Sequence, residues 1–85
     1  MIKVYVIREE YAETLRAEDD LVGFQEYVED GVYWQSYEFS NPTAAGDFCA
    51  GVCSGHSDER APMGFLILRD DIEDDIPYIQ TLIDA

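Results

Sequence analysis

The chain has 85 residues, five of them basic and nineteen acidic, so its formal net charge at pH 7 is −14. A negative charge of this size attracts strongly basic surfaces and repels nucleic acid and anionic membranes. It therefore argues against direct binding to DNA, RNA or lipid. With 47% hydrophobic and 13% aromatic residues the chain is too apolar to be a disordered acidic tail, and we expect residues 1–85 to form one small acidic domain.

The N-terminal part predicts a strand followed by a helix. Residues 2–8 alternate in the way that is typical of a strand. Residues 9–18 begin with acids, which the helix dipole favours in a first turn, and predict a short helix. The N-terminus lacks the long apolar region of a signal peptide, and no apolar run is long enough to cross a membrane, so we expect a cytoplasmic protein.

The segment that follows is ambiguous between helix and strand. Residues 21–29 fit a helix with Asp20 as its N-cap. However, the Asp30-Gly31 pair lies between residues rich in aromatic and β-branched side chains, which is the strongest local signal for a β-hairpin. We therefore expect a hairpin spanning residues 24–39 and keep the helix as the alternative.

The C-terminal half has clearer boundaries. Asn41 is a suitable cap for a helix that Pro42 opens and Gly55 closes. Residues 63–69 predict a strand, placed at the centre of the sheet because both of its faces are apolar. The last helix has isoleucines at helical spacing, namely Ile76, Ile79 and Ile83.

These elements predict an α+β fold. Their order, with a last helix added, is the βαββαβ order of the ferredoxin-like fold, an antiparallel sheet with helices on one face. If residues 21–29 are helical, the alternative is a three-stranded βαβαβα sheet.

Carboxylates are densest just after the last predicted strand. Helix capping accounts for one or two of them, and the spacing lacks the glycine and glutamate that a calcium-binding EF-hand loop requires. Carboxylates a few ångströms apart can imitate a stretch of DNA backbone, which has one charge per about 1.7 Å of axis. The candidate partner-binding residues are this run, Asp70, Asp71, Glu73, Asp74 and Asp75, with two further clusters, Glu18, Asp19 and Asp20, and Glu26, Glu29 and Asp30.

Catalytic, cofactor and metal sites have little support. Cys49, Cys53 and His56 have the spacing of one helix face and could ligate zinc, but both cysteines lie on the predicted apolar stripe and Gly55 ends the helix before His56. The serines near His56 form no recognisable triad, and there is no glycine-rich phosphate loop. We expect no enzyme activity, no cofactor and no bound metal.

The size, the charge and the clusters Glu18 to Asp20 and Asp70 to Asp75 resemble those of small acidic phage proteins that inhibit bacterial defences, the anti-CRISPR and anti-restriction proteins of the DNA-mimic type. The resemblance implies an inhibitor that covers the basic nucleic-acid-binding surface of a protein or of a CRISPR effector complex in the host cytoplasm. Two alternatives remain: an immunity-type inhibitor of a nuclease toxin, and a salt-adapted acidic ferredoxin-like domain without a charge-mediated partner.

Overall fold

Strand β1 (Ile2–Ile7) lies at the centre of a three-stranded antiparallel sheet, between β2 (Trp34–Phe39) and β3 (Leu66–Arg69). The computed structural model describes residues 1–8, 10–55 and 65–85. A 3-10 turn, Glu73–Asp75, precedes the last helix. In chain order the strands and α-helices are β1 (Ile2–Ile7), α1 (Glu10–Ala17), α2 (Leu21–Glu29), β2 (Trp34–Phe39), α3 (Pro42–Gly55), β3 (Leu66–Arg69) and α4 (Ile76–Asp84).

The hairpin predicted for residues 24–39 is wrong, because its first half is helix α2. The Asp20 carboxylate caps this helix by accepting a hydrogen bond from the Gly23 N–H at 2.9 Å. The Asp-Gly pair ends the helix instead of turning a hairpin: Asp30 is its C-cap, and Gly31 has a left-handed φ of 97°. The alternative with a helix over 21–29 is thus the one observed, and the ferredoxin-like order is not.

Helices cover both faces of the sheet, so the expectation of helices on one face is also wrong. On one face, Tyr5, Ile7, Leu66 and Leu68 form a core with residues of α1, α2 and α4. On the other face, Ile2, Val4 and Val6 pack with Ala45 of α3. Strand β3 is apolar on both sides because each side meets a helical layer. It lies at an edge of the sheet, whereas the sequence predicted the centre.

Helix α3 has the predicted bounds, and α1 lies within the predicted residues 9–18. Helix α4 is present as predicted, but its isoleucines do not all face the core. The Asn41 carboxamide oxygen caps α3 by accepting from the Ala44 N–H at 2.8 Å. In α4 the buried residues are Tyr78, Ile79 and Leu82, whereas Ile76 and Ile83 are 42% and 53% exposed. In α1 the buried residues are Ala12 and Leu15. Within the described ranges, no helix has the length and apolarity needed to cross a membrane.

Candidate protein-binding surface

Three adjoining depressions, of about 380, 730 and 650 Å³, follow the line where α2 packs beside α4. Leu21 and Pro77 line both the first and the second, and Glu29 and Asp84 line both the first and the third. The depressions therefore form one continuous surface, which we call the α2–α4 groove. Its five carboxylates, the groove acids, are Asp19, Glu29, Glu73, Asp74 and Asp84.

Local structure explains how these acids reach the groove. Asp19 lies in the tight turn between α1 and α2 with a positive φ of 57°, a conformation that Asp tolerates better than most residues. Its carboxylate accepts a hydrogen bond from the Tyr78 hydroxyl at 3.1 Å, which ties the turn to α4. Glu29 follows Gln25 by one helical turn on the side of α2 that faces α4, and both line the groove.

The acidic run of residues 70–75 does not form one surface. The Asp75 side chain points inward and is 1% exposed. It accepts hydrogen bonds from Nε of Arg16 at 3.1 Å and from the backbone N–H of Arg69 at 3.0 Å. The carboxylate therefore joins α1 to the end of β3. Asp75 is not available to a partner, although the sequence placed it in the binding surface.

Two further acids of this run are engaged within the fold. Asp70 accepts a hydrogen bond from the Lys3 backbone N–H at 2.9 Å, which continues the pairing of β1 with β3. Asp71 accepts two hydrogen bonds from the Arg69 guanidinium, at 2.9 and 2.7 Å. These bonds are the main cause of the lowered pKa of Asp71 and of the raised pKa of Arg69. Only Glu73 and Asp74 of the run line the groove.

The basic side chains that the structure describes do not neutralise the groove acids. The Lys3 ammonium lies 3.8 Å from Glu38, and the Arg8 guanidinium lies 5.7 Å from the centre of the Phe65 ring. Arg16 and Arg69 form ion pairs with acids other than the groove acids. Arg16 borders the groove at the end near Asp19, but its guanidinium bonds to the buried Asp75 carboxylate.

The remaining predicted residues are exposed but lie outside the lining of the groove. Asp20 caps α2, and Asp30 ends the same helix. Glu18 and Glu26 are exposed in the turn before α2 and on α2 itself. Exposed acids also lie on other elements, among them Glu10, Glu13 and Asp47. The acidic surface of the molecule is thus wider than the groove.

Sequence reasoning missed Asp84 and the side of α4 that lines the groove. Asp84 is isolated in the sequence, but it lies one turn from Gln80, whose amide donates a hydrogen bond to it at 3.0 Å. Helical spacing from Pro77 would have shown that residues 77, 80, 81 and 84 share one side of α4. That this side lies next to α2 depends on tertiary packing.

The zinc hypothesis falls partly outside the described residues. Cys49 is half-buried beside the core of α3 and the sheet. The side chain of Cys53 and the whole of His56 lie outside the part of the chain that is described. Within that part, no group of three or more His, Cys, Asp or Glu side chains could hold a metal ion.

Comparison of the chain with protein-family models, with curated proteins and with solved structures found no match.

Proposed function

We propose that this chain is a non-enzymatic inhibitor that binds the basic nucleic-acid-binding surface of a protein or of a CRISPR effector complex. It blocks DNA or RNA binding by electrostatic mimicry and by steric occlusion. The observation that supports this proposal is the α2–α4 groove, along which five carboxylates have no basic partner among the described residues.

Charge and shape both contribute to the proposed binding. A surface that has evolved to hold phosphates presents lysines and arginines, which the groove acids attract as the phosphates do. Electrostatic complementarity raises the association rate and the specificity more than the raw affinity. The exposed Ile76, together with Leu21 and Pro77, adds apolar contact area between the charges. Such contacts exclude water and make each charge pair stronger.

A matched pair of charge variants tests whether the groove is the binding surface. The first replaces the groove acids by their amides, which changes the net charge from −14 to −9. The control makes five such replacements elsewhere and reaches the same net charge: Glu10, Glu13, Glu26, Asp30 and Asp47. We expect the groove variant to lose partner binding and inhibition, and the control to retain most of both. Equal losses would contradict the groove assignment and leave only a general charge effect.

The partner itself can be sought by affinity capture from bacterial lysate at about 0.1 M and about 0.5 M NaCl, between which the Debye length shortens markedly. We expect one stoichiometric nucleic-acid-binding protein or complex at low salt and its loss at high salt. Nucleic acid should compete with this chain for the captured protein. Capture of a nuclease toxin would instead favour the immunity-type alternative. The absence of a specific partner at either salt, with stability that rises strongly in molar salt, would favour the salt-adapted domain.

A further inference from the structure

Strand β2 has hydrogen-bonding groups along an edge that no described strand occupies. Its register with β1 pairs Trp34 with Ile7 and Phe39 with Ile2, and the backbone N–H of Arg8 donates to the carbonyl of Tyr33. In an antiparallel pair, residues that bond to the neighbouring strand alternate with residues that point away from it. Residues 33, 35, 37 and 39 therefore bond toward β1.

The N–H and C=O groups of Trp34, Ser36 and Glu38 consequently point to the open edge. The other side of β1 agrees with this alternation, because the Lys3 carbonyl accepts from the Asp70 N–H next to β3. Odd-numbered residues of β1 therefore bond toward β3, and even-numbered residues bond toward β2. The six-residue edge contains no proline and a single charged side chain, Glu38, and its register with β1 is regular. Proteins usually protect such an edge with proline, bulges or several charges.

The side chains beside this edge are rich in tyrosine and are joined by hydrogen bonds. Tyr33 and Tyr37 are 62% and 38% exposed. The Gln35 carboxamide joins them: its amide donates to the Tyr33 hydroxyl at 2.7 Å, and its oxygen accepts from the Tyr37 hydroxyl at 2.5 Å. Tyr37 also packs on Phe48 of α3, with 4.8 Å between ring centres. Tyrosines held in this way can be covered by a partner with little loss of side-chain entropy.

We propose that the β2 edge pairs with the β2 edge of a second copy of this chain, antiparallel and about a two-fold axis at Ser36. In this register Ser36 faces Ser36 of the second copy, and Trp34 faces Glu38. The three outward N–H groups of each chain then all find acceptors, which gives six hydrogen bonds across the axis. A shift of two residues would leave part of the outward groups unpaired. The result is a continuous six-stranded sheet.

The charges and side chains of the edge favour a second copy as the occupant. The two Glu38 carboxylates do not face each other, since four residues of strand separate them, or about 14 Å, which exceeds the physiological Debye length of about 8 Å. On the other face of the sheet Gln35 lies opposite Tyr37 of the second copy, so the hydrogen bonding that these residues make within one chain can continue between two. The edge is thus complementary to itself, as a two-fold interface requires.

The net charge opposes this association at long range, and this opposition provides a test. Two molecules of charge −14 repel each other, so screening by salt should strengthen the dimer. Binding of a basic partner should weaken under the same change. The dimer does not depend on the proposed function, and the opposite salt dependences distinguish the failure of one from the failure of the other.

Cross-linking tests the register directly. In the proposed dimer the Cα atoms of residue 36 in the two copies are about 5.5 Å apart, within the range of a disulfide, whereas those of residue 38 are far outside it. We expect Ser36→Cys to form a disulfide dimer in mild oxidant about tenfold faster or more than Glu38→Cys, with the bond mapped to residue 36 by mass spectrometry. The wild-type chain controls for its own cysteines. Equal rates for the two variants would overturn the register.

Sedimentation of the uncross-linked chain tests the dimer itself. We expect a dimer fraction that increases between about 0.1 M and about 0.5 M NaCl. Ser36→Pro should abolish it, because proline removes an outward N–H and leaves the bonds to β1 intact. Circular dichroism checks that this variant is folded. A wild-type chain that sediments as a monomer at both salt concentrations would refute the proposal.

Discussion

The ion pair between Arg16 and the buried Asp75 should contribute to stability, and removing one partner or the other should lower the free energy of unfolding by unequal amounts. Arg16→Met keeps most of the apolar stem but leaves a carboxylate that is 1% exposed without its cation. Asp75→Asn keeps the shape of the buried group and removes its charge. It leaves a guanidinium whose side chain is 34% exposed and can be hydrated. We therefore expect Arg16→Met to be the more destabilising change.

The expected losses of unfolding free energy follow from the burial of the two side chains and from the hydrogen-bond donors that remain in each variant. Removing one partner of a fully buried ion pair costs about 3–5 kcal/mol. Here the Arg69 N–H still holds the carboxylate and Arg16 is partly hydrated, so we expect about 2–3 kcal/mol for Arg16→Met and about 1–2 kcal/mol for Asp75→Asn. The double variant should cost less than the sum of the two by about 1 kcal/mol, because neither group is then left without its partner. Small domains have only about 5–15 kcal/mol of stability.

Urea unfolding followed by the fluorescence of Trp34, the single tryptophan, gives these free energies from the midpoint and the slope. Lys3→Met is the control, because it also keeps an apolar stem and because the Lys3–Glu38 pair is exposed on both sides and should contribute less than about 0.5 kcal/mol. The reasoning is refuted if Arg16→Met costs no more than the control. It is also refuted if Asp75→Asn is the more damaging of the two, since an unpaired buried carboxylate would then not be the dominant penalty.

Four further substitutions test other parts of the fold. Burial, and then the hydrogen bond to Asp19, raise the pKa of Tyr78 above its ordinary value of 10.0. The free energy of unfolding should therefore fall as the pH rises above about 10. Tyr78→Phe should reduce this fall, which urea midpoints measured across that pH range would show. Asp20→Ala removes the N-cap of α2 and should cost about 1 kcal/mol, with an unchanged unfolding slope. Gly31→Ala places a side chain on a residue with a left-handed φ, so it should destabilise the fold by about 1 kcal/mol and lower the melting temperature. Gly51→Ala lies at an open helical position and should raise the melting temperature.

The local sequence was sufficient to predict a helix or strand where the flanking residues favour one conformation. The boundaries of α3 could be predicted because Asn41 caps its first turn and Pro42 fits the first helical position. The strand over residues 2–8 could be predicted because its β-branched and aromatic residues favour an extended backbone. The excess of carboxylates is a property of composition alone, and the proposal of a basic partner began from it.

Prediction from the local sequence failed where one segment was compatible with two structures. Asp30-Gly31 suits a hairpin turn and a helix end equally well, since both require a residue with positive φ. The burial of Phe24 and Val28 in the core shared with α4 favours the helix. The sequence of residues 21–29 contains no information about that neighbour.

The sequence by itself determined a strongly acidic chain that is apolar enough to form a core and whose surface must attract cations, because charge and apolar content do not depend on folding. Tertiary structure decided which carboxylates a partner can reach. Asp74 and Asp75 are identical side chains in one 3-10 turn, yet Asp74 lines the groove and Asp75 is buried against Arg16, which lies 59 residues away in the chain. Burial depends on the direction of a side chain within the packed molecule, and a partner 59 residues distant leaves no local pattern.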